Sequence, residues 1–184
     1  TEDWGIMHSE NAADTMVEDI YTNYKYIEEQ YPDIPHFILG HSMGSYLLRR
    51  FLVQKSDGLS RCAGAIIMGT GTEDMKTIAM GKKIVKLIMR FKGRDYRSKL
   101  VEGIMLGAGP YKKFDTTGQT PENSWLTKDA EIVKKYYKDP KCTYRFSLNG
   151  YMVLLDCTDF DNRIENVEKM QKAMPIFIVS GSDD

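Results

Sequence analysis

The chain has 184 residues, enough for one domain of ordinary size or for part of a larger one. Hydrophobic residues make up 42% and charged residues 28%, which excludes a disordered tail and a fibrous repeat. With 25 Lys+Arg against 26 Asp+Glu the net charge is -1, so a nucleic-acid binder working through a broad basic surface is excluded too.

The first predicted element is a helix over 11–30. Ala13, Met16, Val17, Ile20, Tyr21, Tyr24 and Ile27 recur at steps of three and four, and Asn11 with Asp14 makes an imperfect capping pair. Pro32 and Pro35 end it, and 36–39 reads as a short buried strand. A second helix over 43–54 presents Met43, Leu47, Phe51 and Gly44, Leu48, Leu52 on one face. A buried strand over 63–68 follows, closed by Gly69-Thr70-Gly71. The longest apolar run, 62–68, is far too short to span a bilayer.

After Glu73 the strand rhythm stops until about Asp161. A helix over 75–91 has a broad apolar side of Ile78, Ile84, Val85, Ile88 and Phe91, and shorter helices are expected over 98–106 and 128–137. Asn162 is expected to cap a helix with Ile164, Val167, Met170 and Met174 facing inward, and 176–179 restores the strand after Pro175. Apolar strands separated by amphipathic helices predict an α/β fold, a parallel sheet with helices on both faces, interrupted by a mainly helical insertion. The expected organisation is a core over 1–72, a cap over 73–161 and a return to the core over 162–184. The first residue is Thr1, and the last residues are an apolar strand that stops in a turn, so the sequence reads as a fragment cut at both ends.

Gly40-His41-Ser42-Met43-Gly44 matches G-x-S-x-G and sits between an apolar strand and an amphipathic helix, the setting of a nucleophile elbow. Gly40 and Gly44 are expected to let neighbouring backbone approach closely, with His41 fixing the loop. The Met43 N–H is positioned as an oxyanion donor at a helix start that favours negative charge. A serine hydroxyl needs a base to take its proton, and the base needs a carboxylate to orient it. In this architecture the acid follows a later parallel strand. Asp183 and Asp184 do so after 176–179, and Asp184 is favoured. None of the three histidines, His8, His36 and His41, follows that acid, so the base is expected outside this sequence.

The stretch from Pro35 to Ser45 resembles the α/β-hydrolase fold. More narrowly it is similar to the monoacylglycerol lipase and lysophospholipase-like branch, also labelled serine aminopeptidase-like, which carries G-H-S-M-G at the elbow. That branch also carries a Gly-x-x-Asp turn after its acid-bearing strand, here Gly181-Ser182-Asp183-Asp184, and the stretches 123–129 and 137–142 are similar to its cap. The resemblance implies a cytoplasmic serine hydrolase of carboxylic esters, acting on acyl glycerols or lysophospholipids through an acyl-enzyme on Ser42. From the residues, no Cys/His spacing fits a zinc site and no P-loop or G-x-G-x-x-G string is present, so no metal and no cofactor is expected. The early strands, with the second oxyanion donor, and the final strand with the histidine have no counterpart here. The isolated chain is therefore expected to be inactive. The alternatives are a non-catalytic relative that binds a lipid or a partner, and a hydrolase of another bond, such as a thioester or a peptide.

Two surface readings complete the picture. Met75, Met80, Ile84, Ile88, Met89 and Met105 either line an acyl pocket or pack the cap on the core. The stretch from Lys76 to Lys99 holds nine Lys/Arg and one acid, Asp95, which suits either a solvated helix face or a transient contact with an anionic membrane surface. Trp125 and Tyr151 read as cap anchors or pocket walls. The three cysteines, Cys62, Cys142 and Cys157, have no C-x-x-C pair and read as free thiols in a reducing compartment.

Overall fold

The computed structural model describes residues 3–107 and 109–182. In chain order its main elements are α1 (Ala12–Gln30), β1 (His36–His41), α2 (Met43–Gln54), β2 (Cys62–Met68), α3 (Met75–Lys92), α4 (Lys99–Gly107), α5 (Ala130–Lys138), α6 (Leu148–Asp161), α7 (Ile164–Val167) and β3 (Ile176–Val179). The three strands form one parallel sheet in the order β1-β2-β3. Phe37 pairs with Gly64 and His41 with Met68, while Ala65 pairs with Ile176 and Met68 with Val179.

The chain divides into two compact units. One contains residues 9–86 and 151–182, the other residues 3–8 and 87–150. In the first, α1 and α2 lie together, and the core is built from Val17, Leu47, Leu48, Phe51, Leu52, Ala65, Ile67, Val153 and Cys157. Phe51 and Val17 are fully buried. Tyr21 and Tyr24 of α1 set their rings against Phe51, at 6.4 and 6.2 Å between centroids. In the second unit Val101, Val133 and Leu148 are buried. Asp129 caps α5 by accepting from the N–H groups of Glu131 and Ile132, which satisfies two of the unpaired amides of the first turn. Trp125 donates its indole N–H to the Tyr137 hydroxyl at 3.1 Å and meets Tyr111 edge-on, so it anchors this unit.

Four points differ from what the sequence led one to expect: three expectations and one helix, α6, that was not foreseen. First, β1 and β3 are not buried strands: Phe37 is 64% exposed and Ile178 65%. In β1 the residues at 37, 39 and 41 face outward while those at 36, 38 and 40 are covered, so among the described residues one face of this strand lacks a helical layer. Second, α6 carries no one-sided apolar period, because most of it is buried all round, and periodicity detects only half-buried helices. Third, Asn11 caps α1 through its backbone carbonyl alone, taking the Thr15 N–H at 3.0 Å, while Asp14 turns to Arg50 and Gln54 of α2. Fourth, Asn162 caps no helix. Its side chain accepts from the Thr72 hydroxyl and donates to the Glu73 carbonyl, Arg163 takes the cap position, and the helix lasts four residues with Ile164 and Val167 exposed. Of the residues expected to face inward from α3, Ile78 and Val85 are buried but Phe91 is 76% exposed. Met75 and Met80 are exposed, whereas Ile84, Ile88, Met89 and Met105 are half-buried.

Candidate functional site

The strand β1 ends at His41 and the helix α2 begins at Met43, so one residue, Ser42, makes the whole turn. It does so at φ 52° and ψ -123°, and among the described residues it is the only one other than glycine with positive φ. That conformation costs an L-residue on the order of 1–3 kcal/mol and persists only where its surroundings hold it. Here two neighbours hold it. The Ser42 N–H donates to the Met68 carbonyl of β2 at 3.1 Å. The Ser42 carbonyl accepts from the Ser45 N–H at 2.8 Å and from the Ser45 hydroxyl at 2.6 Å. Ser45 is completely buried. It is a supporting residue that the motif alone did not mark.

The two glycines of the motif are not equivalent. A Cβ on Gly40 would stand 2.4 Å from the Gly44 carbonyl oxygen and 2.8 Å from Leu48 Cβ, so the close strand-to-helix approach depends on it. A Cβ on Gly44 would meet nothing within 4 Å among the described residues, so the expected crowding there is absent. His41 is exposed at the end of β1. The Met43 N–H is the first amide of α2, one of the four that a helix leaves without an intrahelical acceptor. Ser42 is itself exposed, so its hydroxyl stands at an accessible helix start that favours developing negative charge.

Strand register gathers the remaining pieces at this edge. Met68, which holds Ser42, pairs with Val179, and the Gly69 N–H donates to the Val179 carbonyl at 2.9 Å. The chain leaving β3 at Ser180 therefore emerges on the same C-terminal edge as the elbow. Asp183 and Asp184 lie outside the described residues. His36 opens β1 at the far end of the strand, about 20 Å from Ser42 at 3.3 Å per residue. Its ring nitrogens are buried without a hydrogen-bond partner, and its ring meets Tyr24 edge-on. His8 is exposed and belongs to the other unit.

Behind the elbow lies a charged group that the sequence reading passed over. Arg49 of α2 donates to the Thr70 hydroxyl at 3.2 Å and to the Gly71 carbonyl at 3.0 Å, and its Nε lies 3.5 Å from Asp161 Oδ2. Burial pushes the Asp161 carboxyl up to about 7, against the opposing pull of Arg49 and Arg50. The available signal was an arginine pair, Arg49-Arg50, set inside the apolar run from Leu47 to Val53, where charged side chains need internal partners. A separate polar cavity of about 220 Å³ in the same unit is lined by Asp14, Arg50, Lys82, Asp156, Asp159 and Arg163 among others. It includes no elbow residue, and its cations are paired with its carboxylates. Among the described residues no three His, Cys, Asp or Glu side chains converge as a metal site, and no helix is long and apolar enough to cross a membrane.

The fold is shared with solved structures. A highly thermostable carboxyl esterase from Bacillus coagulans, solved in complex with glycerol, is 24% identical with a TM-score of 0.73, over 94% of this chain and 54% of that one. A lipase in an open form is 20% identical with a TM-score of 0.74, over 98% of this chain and 57% of that one. The monoacylglycerol lipase of Paleococcus ferrophilus is 17% identical with a TM-score of 0.50, over 90% of this chain and 65% of that one. The chain thus spans a little over half the length of the first two. Among curated proteins there is no significant sequence match. The fold is that of the α/β-hydrolases, represented here by three parallel strands and their flanking helices. The family model described as serine aminopeptidase, S33, matches residues 5–184, and the chain belongs to that family of hydrolases.

Proposed function

We propose that this chain carries the nucleophile of a serine hydrolase that cleaves carboxylic esters of lipid-like substrates, monoacylglycerols or lysophospholipids, through an acyl-enzyme on Ser42. The observation that carries the reading is the positive φ of Ser42 at a one-residue strand-to-helix turn, a strained conformation held by hydrogen bonds from behind. In this reading a histidine from outside the 184 residues takes the Ser42 proton, and the oxygen attacks the ester carbonyl. The Met43 N–H and a second donor from outside the sequence hold the oxyanion, and the histidine then protonates the leaving alcohol. Asp184 orients the histidine. Water repeats the sequence to release the acid. No cofactor takes part.

Lipid-like esters are favoured by the solved relatives, a carboxyl esterase and two lipases. In the same proposal, the cap that shapes the acyl site is drawn from the insertion over 73–161, whose two ends, 73–86 and 151–161, pack in the sheet-bearing unit. Lys76, Lys83 and Lys86 of α3 stand exposed around Met80, whereas Lys82 is turned into ion pairs with Asp156 and Asp159. The exposed set suits transient contact with an anionic lipid surface. The three free thiols fit a cytoplasmic setting.

The test is labelling of the protein at its natural length with a fluorophosphonate. The expected result is a single adduct on Ser42 that Ser42→Ala abolishes. Equal labelling of the alanine variant would overturn the assignment. Monoacylglycerol in anionic vesicles is expected to be hydrolysed faster than in zwitterionic ones, and equal rates would remove the surface contact.

A further inference from the structure

We propose that Arg49 is a positioning residue for the reaction proposed at Ser42: its guanidinium fixes the loop of residues 69–73 against the helix that carries the nucleophile at its start. The inference rests on the Ser42 reading and adds a residue to it.

The loop begins beside the elbow. Met68, the residue before it, accepts the Ser42 N–H, and Gly69 donates to Val179 of the neighbouring strand. From there residues 70 and 71 cross to α2. Arg49 Nη1 donates both to the Thr70 hydroxyl and to the Gly71 carbonyl. Gly71 lies so close to Tyr46 that a Cβ on it would stand 2.6 Å from the Tyr46 hydroxyl oxygen, and the Arg49 guanidinium sits 5.8 Å from the centre of the Tyr46 ring. The far side of the guanidinium is anchored on the end of α6. Nη2 donates to the Asp161 carbonyl at 3.4 Å, and Nε faces the Asp161 carboxyl. The next residue, Asn162, completes the hold by bonding to Thr72 and Glu73.

One planar cation therefore ties three things together: the second turn of α2, the loop rising from the strand beside it, and the end of α6. A lysine cannot reproduce this. Its ammonium is a point donor on a flexible stem, while the guanidinium presents its N–H groups in a fixed fork. The loop leaves β2 directly after Met68, whose carbonyl holds the Ser42 N–H, so a change in its position is passed to the turn that carries the proposed nucleophile. Effects of this kind fall on the rate of acylation, where small displacements of reacting groups cost large factors.

The experiment uses the protein at its natural length, with the fluorophosphonate inactivation rate and affinity measured separately at a temperature where circular dichroism shows each variant folded. Arg49→Met is expected to lower the maximal inactivation rate at least tenfold with the affinity constant changed less than threefold. Arg49→Lys is expected to recover less than half of the loss on a logarithmic scale. Thr70→Val, which removes one acceptor and keeps the shape, is expected to lower the rate two- to fivefold. It serves as the measurement if Arg49→Met does not fold. Wild-type rates in folded Arg49→Met, or failing that in Thr70→Val, would overturn the proposal while leaving the nucleophile assignment intact. Absence of any Ser42 adduct in the unaltered protein would overturn both.

Discussion

Replacing Ser42 by glycine and by alanine separates the chemistry of this residue from its backbone. Both substitutions remove the hydroxyl, and both leave the Ser42 N–H to Met68 bond and the carbonyl bonds to Ser45 in place. They differ in the Cβ. At φ 52° and ψ -123° a Cβ is strained by on the order of 1–3 kcal/mol, and alanine keeps that strain while glycine removes it. Glycine also gives the unfolded chain more freedom, which takes back about 0.4–1 kcal/mol. The net expectation is that Ser42→Gly is more stable than Ser42→Ala by about 1.3 kcal/mol, the middle of a range from about 0 to 2.6 kcal/mol. At any other non-glycine position in a strand or helix the order would be reversed. Urea unfolding followed by circular dichroism, with equal slopes for the two variants, measures the difference directly. If Ser42→Gly is less stable than Ser42→Ala, the turn is not strained, and the physical basis for the elbow is gone.

The motif glycines make a second contrast in the same assay. Gly40→Ala is expected to destabilise by about 3 kcal/mol, because its nearest neighbours are backbone and a helix Cβ that cannot swing away. Gly44→Ala in this chain is expected to be neutral or stabilising by up to about 1 kcal/mol from helix propensity, and equal losses at both positions would refute the geometry. The third expectation concerns Asp161. Its carboxyl is pushed up to about 7 by burial, whereas the unfolded chain ionises near the ordinary 3.8, so the folded state holds the extra proton between these values. Stability should therefore fall as pH rises from about 4 to 7 and level off above, by an upper bound of about 4 kcal/mol. Asp161→Asn should flatten this slope and be more stable than the parent at pH 8. Parallel stability curves for the two would refute it.

Residues whose role is set by their neighbours in the chain were legible from sequence. The strand-serine-helix order of 36–54 and the parallel return at 176–179 follow from local apolar patterns, and both stand in the structure with nearly the expected bounds. What was hidden depends on distant packing. The helix α6 lacks a polar face because most of it lies inside, so its period vanished into a uniform signal. Phe37 and Ile178 look like core residues in any short window, and only the sheet order shows that, among the described residues, they sit on the outer strands. Asn162 has the composition of a helix cap, yet its amide serves a loop that is 89 residues away in sequence. Arg49 and Asp161 are 112 residues apart, and no spacing rule joins them.

The bend at residue 42 is braced almost wholly by atoms that lie outside its own pentapeptide: a carbonyl on the adjoining strand and a hydroxyl one turn into the helix. The five letters of the motif therefore behave like a spring that stays cocked only while the strand beside it remains zipped. A short peptide carrying them would relax. So would a molecule whose second strand had frayed, even with every helix intact, and the bend would be lost before any helical signal.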